Sequence, residues 1–373
     1  MRILDRGLVY DAQTAPAEGR CAAFTSLVRL GDGSLLCSFK VGPAKLSPLD
    51  NILILRSTDQ GRNWHEHFRG FARGWQGTPG SFSSGYPCEI APGRLLIALT
   101  WVDRSNPDLP LANPATAGLL PVRTLLAESD DGGATWEPLR ELVMRPQRGA
   151  TLTSEIVLLN GGELLLPYES WKDWDDVEGV QSANGRFSSD NGRTWSEPIV
   201  MASDPAQRRF YWDNRLAKHP DGRVAAMFWT HDPAAGVDVD VHLAWADPTG
   251  RNWSSPRPTG IAGQIAAPLA MGPETLFCVY VHRHDPPSIR AVVSRDLGQS
   301  WDRQDELVVY ESGGGREAGT SGPRLKADYW EDMYRWTFGH PKAVLLDAGA
   351  VLVAYYAGAG DALSIHWARI EDV

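Results

Sequence analysis

The sequence contains few cysteines, and none of them has a metal-binding or redox spacing. Among 373 residues there are four, Cys21, Cys37, Cys88 and Cys278, and no two of them form a C-x-x-C pair. This pattern argues against a cysteine zinc site and favours free, buried thiols. A disulfide between Cys21 and Cys37, which could face each other across one predicted hairpin, is the alternative.

The sequence also lacks long apolar runs and blocks of like charge. No run of about 18 apolar residues predicts a transmembrane helix, and the beginning, MRILDRGLVYDAQ, has no apolar signal-peptide core. We therefore expect a soluble, cytoplasmic protein with no membrane partner. The formal net charge of −10, without a basic cluster, argues against nucleic acid as a partner. An acidic ligand can still bind a locally positive pocket.

A turn motif, S-x-D-x-G-x-x-W, is present in four complete copies. The copies end at Trp64, Trp136, Trp195 and Trp301, and a stretched fifth copy ends at Trp253. Serine and aspartate side chains can accept bonds from the N–H groups of their own turn, and glycine tolerates positive φ. The indole can pack back on the strands while its N–H meets a carbonyl. The repetition predicts a series of similar sheets, in which these tryptophans are structural and bind no ligand.

A second repeat, out of phase with the first, consists of two apolar strands joined by a tight turn. Its six copies turn near Gly33, Gly93, Gly162, Gly222, Glu274 and Gly349. Each of the first five is followed by a tryptophan turn, which predicts a four-stranded antiparallel blade. The sixth has one further strand, LSIHWARI, and the N-terminal RILDRGLVYD can supply the missing one.

The sequence therefore predicts an all-β fold, a six-bladed β-propeller of four-stranded blades. It is a single domain over residues 1–373, and residues of about 1–10 complete the sixth blade. The stretch from Gly313 to Phe338 is predicted to be an ordered insertion with a short helix near Tyr329 to Met333.

Polar residues are concentrated at the predicted mouth of the central channel. Nine residues before the six turns lie Phe24, Ser84, Thr153, Asp213, Ile265 and His340, and seven before them lie Ser26, Tyr86, Glu155, Arg215, Ala267 and Lys342. Side chains two apart share a face of a strand, so both rows can face the channel. Glu155 and Arg215 are open to two interpretations, an ion pair across adjacent blades or direct contacts to a ligand.

Loops after the second strands add aromatic and charged groups to this rim. They carry Asp50, Trp171, His231, His282 and Arg283, a mixture suited to stacking and hydrogen bonding with sugars. The histidines, together with His284 and His340, suggest a metal site only weakly, because no cysteine or tight carboxylate cluster completes the ligand set. We expect hydrogen-bonding or acid–base histidines and neither a metal nor another cofactor.

The tryptophan turns resemble the Asp-boxes of the sialidase (neuraminidase) superfamily, and the similarity in repeat pattern covers nearly the whole chain. The resemblance implies a propeller that acts on or binds sugars. The tyrosine nucleophile of sialidases corresponds in position to His340 in FGHPKAVLLDAG, and the assisting glutamate to Asp213 in YWDNRLAKHPDG. Asp50, in SPLDNILILRSTD, lies in the loop that holds the acid/base aspartate of the family.

The three arginines with which sialidases bind a carboxylate are not in register here. The first position falls at Ala23, three residues after Arg20, and the second near Trp229 to His231. The third has only Arg283 and Arg290 nearby. The resemblance therefore implies a sialidase-like enzyme with different chemistry from an ordinary sialidase.

Three functions are compatible with these residues. The first is a glycoside hydrolase acting on an acidic or unusual sugar or oligosaccharide, with Asp50 as general acid and Asp213 or Glu155 as base or nucleophile. Tyr329 or Tyr334 is an alternative nucleophile. The expected substrate contacts are Arg20, Arg215, Arg283, His231, His282, Tyr86, Trp171 and Trp212.

The second function is a lyase that cleaves uronate-containing oligosaccharides by β-elimination. It needs a base, an acid and positive charge near the carboxylate, for which His340, His231 and Tyr86 are the candidates. The third is a non-catalytic carbohydrate-binding propeller.

Overall fold

The protein was analysed as a computed structural model that describes residues 1–313, 326–360 and 362–372. Regular structure in these residues is almost entirely β. The strands are β1 (Arg2–Tyr10), β2 (Cys21–Arg29), β3 (Leu35–Gly42), β4 (Asn51–Ser57), β5 (His65–Arg69), β6 (Gly80–Ala91), β7 (Arg94–Asp103), β8 (Val122–Ser129), β9 (Arg140–Leu142), β10 (Val157–Leu158), β11 (Leu164–Ser170), β12 (Ser182–Ser188), β13 (Ile199–Ala202), β14 (Phe210–Lys218), β15 (Val224–Asp232), β16 (Val237–Asp238), β17 (His242–Ala246), β18 (Arg257–Pro258), β19 (Ala266–Ala270), β20 (Leu276–His282), β21 (Ser288–Ser294), β22 (Leu307–Glu311), β23 (Phe338–Leu345), β24 (Val351–Ala359) and β25 (Ala362–Glu371). One α-helix, α1 (Lys326–Arg335), precedes β23, and short 3-10 turns cover Ala17–Gly19 and Asp347–Gly349.

The strands form antiparallel groups of four in a propeller-like arrangement. Sheets 1 to 5 are β2–β5, β6–β9, β10–β13, β14–β15–β17–β18 and β19–β22, while sheet 6 is β23–β24–β25–β1. The N-terminal strand β1 forms the outer edge of sheet 6, with Gly7 opposite Trp367. Sheets 1 and 6 also share one parallel pair, Cys21 with Leu363. The first strand of each sheet contacts that of the next, and β23 contacts β2, so the order of neighbours closes on itself.

Apolar side chains on both faces of the inner strands hold neighbouring sheets together. Leu96 and Leu126 of sheet 2, for example, pack in one buried cluster with Leu164 and Leu166 of sheet 3. Each leucine buried in this way contributes about 1.5–3 kcal/mol. This two-sided burial explains why the strands are nearly continuously hydrophobic in sequence.

The tryptophan turns close on themselves as the motif predicts. In the second copy the Ser129 hydroxyl accepts a bond from the Gly133 N–H at 2.8 Å, and the Trp136 indole donates to the Gly133 carbonyl at 3.0 Å. Asp131 accepts bonds from Thr135 and Ser129, which outweigh the effect of burial and lower the pKa of its carboxyl to about 2.

The turns lie at the end of the strands where the β-hairpins turn. Gly61, at φ +85°, packs against Leu35 and Leu352, which begin the second strands of sheets 1 and 6. The tryptophan turns are therefore far from the opposite ends of the inner strands, where the residues seven and nine before the hairpin turns lie.

The four cysteines are all buried, and none of them forms a disulfide with a described residue. Cys21 lies opposite Gly42 and Cys37 opposite Leu27 in the β2–β3 pair, so these two thiols do not face each other across the hairpin. The helix expected near Tyr329 to Met333 is present as α1, while residues 314–325 of the predicted insertion lie outside the described residues. No helix in the described part of the chain has the length and apolarity to span a bilayer.

Candidate functional site

Three inner strands are bulged at equivalent positions, where the backbone takes an unusual conformation. Phe24, Asp213 and His340 have φ values of +58°, +46° and +44°, and the strand register shifts at each position. For residues other than glycine such a conformation costs about 1–3 kcal/mol and persists only where the surrounding structure enforces it. These are the residues nine before the hairpin turn in sheets 1, 4 and 6.

Asp213 and His340 are joined by a fully buried arginine. Arg215, 0% exposed, donates from Nε to Asp213 Oδ1 at 2.7 Å and from Nη2 to His340 Nδ1 at 2.8 Å. Because a guanidinium only donates, Nδ1 must accept, and the neutral His340 ring carries its proton on Nε2. That nitrogen lies 4.0 Å from Asp213 Oδ2.

The surroundings of these two groups shift their proton affinities in opposite directions. Burial raises the pKa of Asp213, and Arg215 offsets only part of that effect. Burial, together with Arg215, Lys45 and Arg283, holds the pKa of His340 well below its ordinary value. A carboxyl whose pKa is raised and an imidazole whose pKa is lowered therefore lie side by side.

A second ion pair lies deeper in the channel. Lys342 Nζ is 2.5 Å from Glu155 Oε2, and the Ser26 hydroxyl donates to Glu155 Oε1 at 2.8 Å. Burial disfavours the charged carboxylate, but Lys342, Arg215 and the Ser26 bond outweigh it and lower the pKa of Glu155. Tyr86 is buried near the same charges, and burial raises the pKa of its hydroxyl.

These contacts decide between the two interpretations of Glu155 and Arg215. The ion pair between them does not form in the described residues, because Lys342 of sheet 6 reaches Glu155 across the channel and Arg215 pairs with Asp213. The seven-residue row does bring Ser26, Glu155 and Lys342 into contact.

A basic cluster adjoins His340 and consists of Arg283, an expected substrate contact, and Lys45, which sequence reasoning missed. Lys45, 6% exposed, donates to the Tyr356 hydroxyl at 2.8 Å and to the Trp336 carbonyl at 2.7 Å. Arg283 donates to the Phe338 carbonyl at 2.8 Å and lies 4.2 Å from the centre of the Trp336 ring. Among the described residues, neither Lys45 nor Arg283 forms a salt bridge, and Arg283 Nη1 is buried without a hydrogen-bond partner.

Desolvation acts on both cations. Burial and the nearby Arg283 hold the pKa of Lys45 well below its ordinary value, and burial lowers the pKa of Arg283 to about 10. Lys45 and Arg283, two buried basic side chains that form no salt bridge within residues 1–313, 326–360 and 362–372, make a pocket suited to an anionic group of a ligand.

Next to Asp213 lies a small cavity with aromatic walls. It has a volume of about 60 Å³ and is lined by Glu169, Trp212, Asp213, Trp229, Tyr329, Trp330 and Met333. Helix α1 supplies the last three. The Asp213 N–H donates to Glu169 Oε2 at 3.0 Å, so two carboxyl groups border the same cavity.

His231 supports the cavity wall from behind. Its ring stacks on Trp212 with centroids 4.8 Å apart, and its Nδ1 is 3.1 Å from Asp238 Oδ1. The Tyr329 hydroxyl donates to the same carboxylate oxygen at 2.8 Å, which ties helix α1 to sheet 4. His231 thus positions Trp212 and Tyr329 and does not line the cavity itself.

Asp50, the predicted general acid, is placed differently from the expectation. It is 1% exposed and both its carboxylate oxygens are 3.1 Å from Lys40 Nζ. Burial outweighs Lys40 and raises the pKa of Asp50 to about 6. The carboxylate packs over Gly42, where a Cβ would collide with it, so the loop encloses Asp50 and presents Lys45 to the site instead.

Two further predicted contacts lie outside the cluster. Arg20 is exposed at the end of the first 3-10 turn, because it precedes β2 and the bulge brings Phe24, not Arg20, to the mouth. His282 bonds the Pro286 carbonyl at 3.2 Å and packs on His284, and burial with the nearby Arg290 lowers its pKa to about 4.

Trp171 lies beside the cavity and not in it. Its indole donates to the Ala117 carbonyl at 2.9 Å, and its ring packs edge-on against Phe210. Among the described residues no cluster of three or more His, Cys, Asp or Glu side chains is arranged to hold a metal ion.

The neutral state of His340 predicts a pH dependence of stability. Its folded pKa is depressed, so the unfolded chain binds more protons below the unfolded pKa of about 6.5, and stability falls there by up to about 1.4 kcal/mol per pH unit. Asparagine tolerates positive φ. In the His340→Asn variant, the free energy of unfolding, measured by denaturation, should therefore change less between pH 7 and pH 5 than in the wild type. The exposed His65→Asn variant serves as the control. Equal slopes for both variants would contradict the assignment.

The sheets described above define an all-β, propeller-like protein. The chain belongs to the BNR repeat-like domain family, whose pattern matches residues 121–325. No curated protein matches the chain in sequence.

Several solved structures share the fold. A protein of unknown function from Dyadobacter fermentans has 18% identity and a TM-score of 0.74, over 100% of this chain and 99% of that one. The α-L-arabinanase of Penicillium chrysogenum, complexed with arabinobiose, has 14% identity and a TM-score of 0.63, over 100% and 99%. The Hadza microbial sialidase Hz136 has 17% identity and a TM-score of 0.63, over 95% of this chain and 66% of that one.

Proposed function

We propose that the chain is a six-bladed β-propeller glycoside hydrolase that acts on a sugar carrying an anionic group and is not an ordinary sialidase. One observation carries the proposal: His340 lies between Asp213, which borders the cavity with Glu169, and the buried basic side chains Lys45 and Arg283, which form no salt bridge with the described residues. Carboxyl pairs are the usual machinery of glycoside hydrolysis.

Asp213 is the proposed general acid. Burial raises its pKa, which favours the protonated form that a general acid needs, and the Arg215 bond to Oδ1 leaves Oδ2 to donate the proton to the leaving oxygen. Glu169 is the proposed second carboxylate, held by the Asp213 N–H. It either attacks the anomeric carbon or activates water, depending on its distance from Asp213. The surrounding Trp212, Trp229 and Trp330 suit the apolar faces of a sugar ring.

Lys45, Arg283 and Tyr356 are proposed to bind the anionic group. An anion would supply the negative charge that Lys45 and Arg283 do not receive through a salt bridge from the described residues. The Arg283 Nη1 donor would also gain an acceptor. The anion-binding role expected of Arg20 is thus proposed for residues of the β3–β4 loop, the loop after β20 and strand β24. This set of residues differs from the three arginines with which sialidases bind a carboxylate. The difference supports an acidic sugar other than the one that sialidases cleave.

The β-elimination alternative has less support, because the lone pair of His340 Nδ1 already accepts from Arg215. A base must have a free lone pair to remove a proton. His340 is therefore better suited to orient Arg215 and Asp213 than to abstract a proton from the substrate.

A comparison of matched substrates tests the proposal. We expect the enzyme to hydrolyse 4-methylumbelliferyl glycosides of uronic acids with a kcat/KM at least about 10-fold above the neutral hexosides of the same configuration. Lys45→Met should reduce that ratio, measured by fluorescence release. A 4-methylumbelliferyl sialoside serves as the sialidase comparison.

Three results would count against the proposal. Equal rates on charged and neutral sugars would contradict the anion site, and preferential cleavage of the sialoside would contradict the departure from sialidases. An unsaturated, ultraviolet-absorbing product from uronate oligosaccharides would establish elimination in place of hydrolysis.

A further inference from the structure

A surface groove runs beside the aromatic cavity. It has a volume of about 450 Å³, within the range of about 300–1,000 Å³ typical of ligand sites. The cavity next to Asp213, at about 60 Å³, is far below that range. The groove is lined by Pro146, Gln147, Arg148, Ser170, Trp171, Lys172, Asp176, Glu178, Gly179, Val180 and Ser182.

The groove and the cavity are adjacent parts of one surface. Glu169 lines the cavity and Trp171 lines the groove, two residues farther along the chain, where β11 ends at Ser170. At a rise of about 3.3 Å per residue, the two positions are about 7 Å apart. An aromatic path also joins them, because Phe210 contacts Trp171 at 5.4 Å and Trp212 at 5.7 Å between ring centroids.

The walls of the groove are held in place by internal bonds. Arg148 Nη1 lies 2.7 Å from both carboxylate oxygens of Asp176, and Lys172 Nζ donates to the Val177 carbonyl at 2.7 Å. The ammonium of Lys172 also lies 4.9 Å from the centre of the Trp171 ring. Arg148 already has a carboxylate partner, and Lys172 is held by a backbone carbonyl. The groove is therefore less suited to bind an anionic group than the Lys45–Arg283 cluster.

The outer wall exposes an apolar side chain. Val180, which lines the groove, is 64% exposed, and it follows the segment that Lys172 and Arg148 hold through the Val177 carbonyl and Asp176. An aromatic ring, an exposed valine and fixed polar groups together suit a ligand with apolar faces and hydroxyl edges, as a sugar chain has.

We propose that this groove binds the distal sugar units of an oligosaccharide whose reacting unit lies over the opening of the small cavity, beside Asp213 and Glu169, so that the substrate is an oligosaccharide and not a single glycoside. The inference rests on the proposed glycosidase function. Trp171 would be a specificity-determining residue that stacks on a distal unit, and the length of the groove would favour longer substrates.

Chain-length dependence tests the groove. The probes are uronate oligosaccharides of two to six units and the 4-methylumbelliferyl glycoside of the same uronate. In the wild type, kcat/KM should rise with length. Trp171→Ala should lower the ratio of kcat/KM for the longest over the shortest probe by about 10-fold or more. Val180→Glu, at an exposed position, should lower the same ratio by placing a carboxylate in the groove.

Trp245→Ala is the matched control. Trp245 is also a half-buried tryptophan with a cation over its ring, Arg223 at 4.7 Å, but it lies on β17 away from the groove. Its ratio should equal that of the wild type. An unchanged ratio in both Trp171→Ala and Val180→Glu, or a ratio lowered equally by Trp245→Ala, would overturn the groove assignment.

Binding separates failure of the groove from failure of the glycosidase proposal. Calorimetry with the Asp213→Asn variant should show tighter binding of the longer uronate probes, and addition of Trp171→Ala should remove that gain. Such binding without turnover by the wild type would refute hydrolysis and retain the groove. Turnover of the single glycoside, with binding that does not depend on length or on Trp171, would refute the groove and retain hydrolysis.

Discussion

Replacement of Asp213 by asparagine is expected to lower kcat by about 10²- to 10⁴-fold, the usual contribution of a positioned general acid. The amide keeps the size of the carboxyl and can still accept the Arg215 bond at Oδ1, but it has no proton to give to the leaving oxygen. Asparagine also tolerates the φ of +46° at this position. The measurement is kcat on the best uronide found.

Substrates with different leaving groups distinguish the loss of a proton donor from a structural effect of the Asp213→Asn substitution. An acidic phenol needs little protonation, so the Asp213→Asn deficit should be smaller for a 4-nitrophenyl glycoside than for a natural sugar leaving group. Asp221→Asn, an exposed aspartate on the hairpin turn of the same sheet, should leave kcat unchanged. A loss below about 10-fold, or the same loss with both leaving groups, would contradict the role of Asp213.

Much of the fold could be predicted because its rules are local. A hairpin turn such as that at Gly222 requires positive φ, which glycine supplies, and the φ there is +94°. The stretched fifth tryptophan turn also closes as predicted, since the Trp253 indole donates to the Gly250 carbonyl at 2.8 Å. Most strand pairs within a sheet join strands that follow each other in sequence, so their order follows from the repeat, and the pairing of β1 with β25 follows from the strand missing in the sixth repeat.

The site could be predicted only where it depends on strand position. Counting back from the hairpin turns was enough to bring Asp213, His340, Arg215 and Glu155 to one mouth, because residues equally far from their turns lie at similar levels on neighbouring inner strands. The counting could not reveal the bulges, which turn Asp213 and His340 to positive φ.

The site residues that lie in loops could not be predicted from the sequence for a different reason. Lys45 lies in the loop after β3, whose path is set by long-range bonds to Trp336 and Tyr356 and not by any period. The same loop buries Asp50 against Lys40. Asp50 therefore lies in the expected loop but not at the position expected of a general acid. Apolar neighbours around Lys45 gave no signal of a buried cation in the sequence.

The cross-sheet pair of Glu155 and Lys342 offers a test of what holds the channel together. Both side chains are about 10% exposed, and they come from sheets 3 and 6. Arg251 and Glu163 form a comparable pair between sheets 4 and 3, with nitrogen–oxygen distances of 2.6 and 2.8 Å, but their side chains are 43% and 27% exposed. The two pairs differ chiefly in burial, which decides how much solvent can replace a lost partner.

Lys342→Met is expected to lower the free energy of unfolding at pH 7 by about 3–5 kcal/mol, because the buried Glu155 carboxylate loses its ammonium partner. Arg251→Met, at the exposed pair, should cost about 1 kcal/mol or less in the same urea denaturation. Adding Glu155→Gln to Lys342→Met should recover much of the loss, since the amide can still accept from Ser26. The pKa of Glu155 is lowered in the wild type, so its contribution to stability is present above the unfolded pKa of about 4.3 and is lost as the pH falls. The deficit of Lys342→Met should therefore shrink from pH 7 toward pH 4, and a pH-independent deficit equal to that of Arg251→Met would show that the pair contributes no more than a surface one.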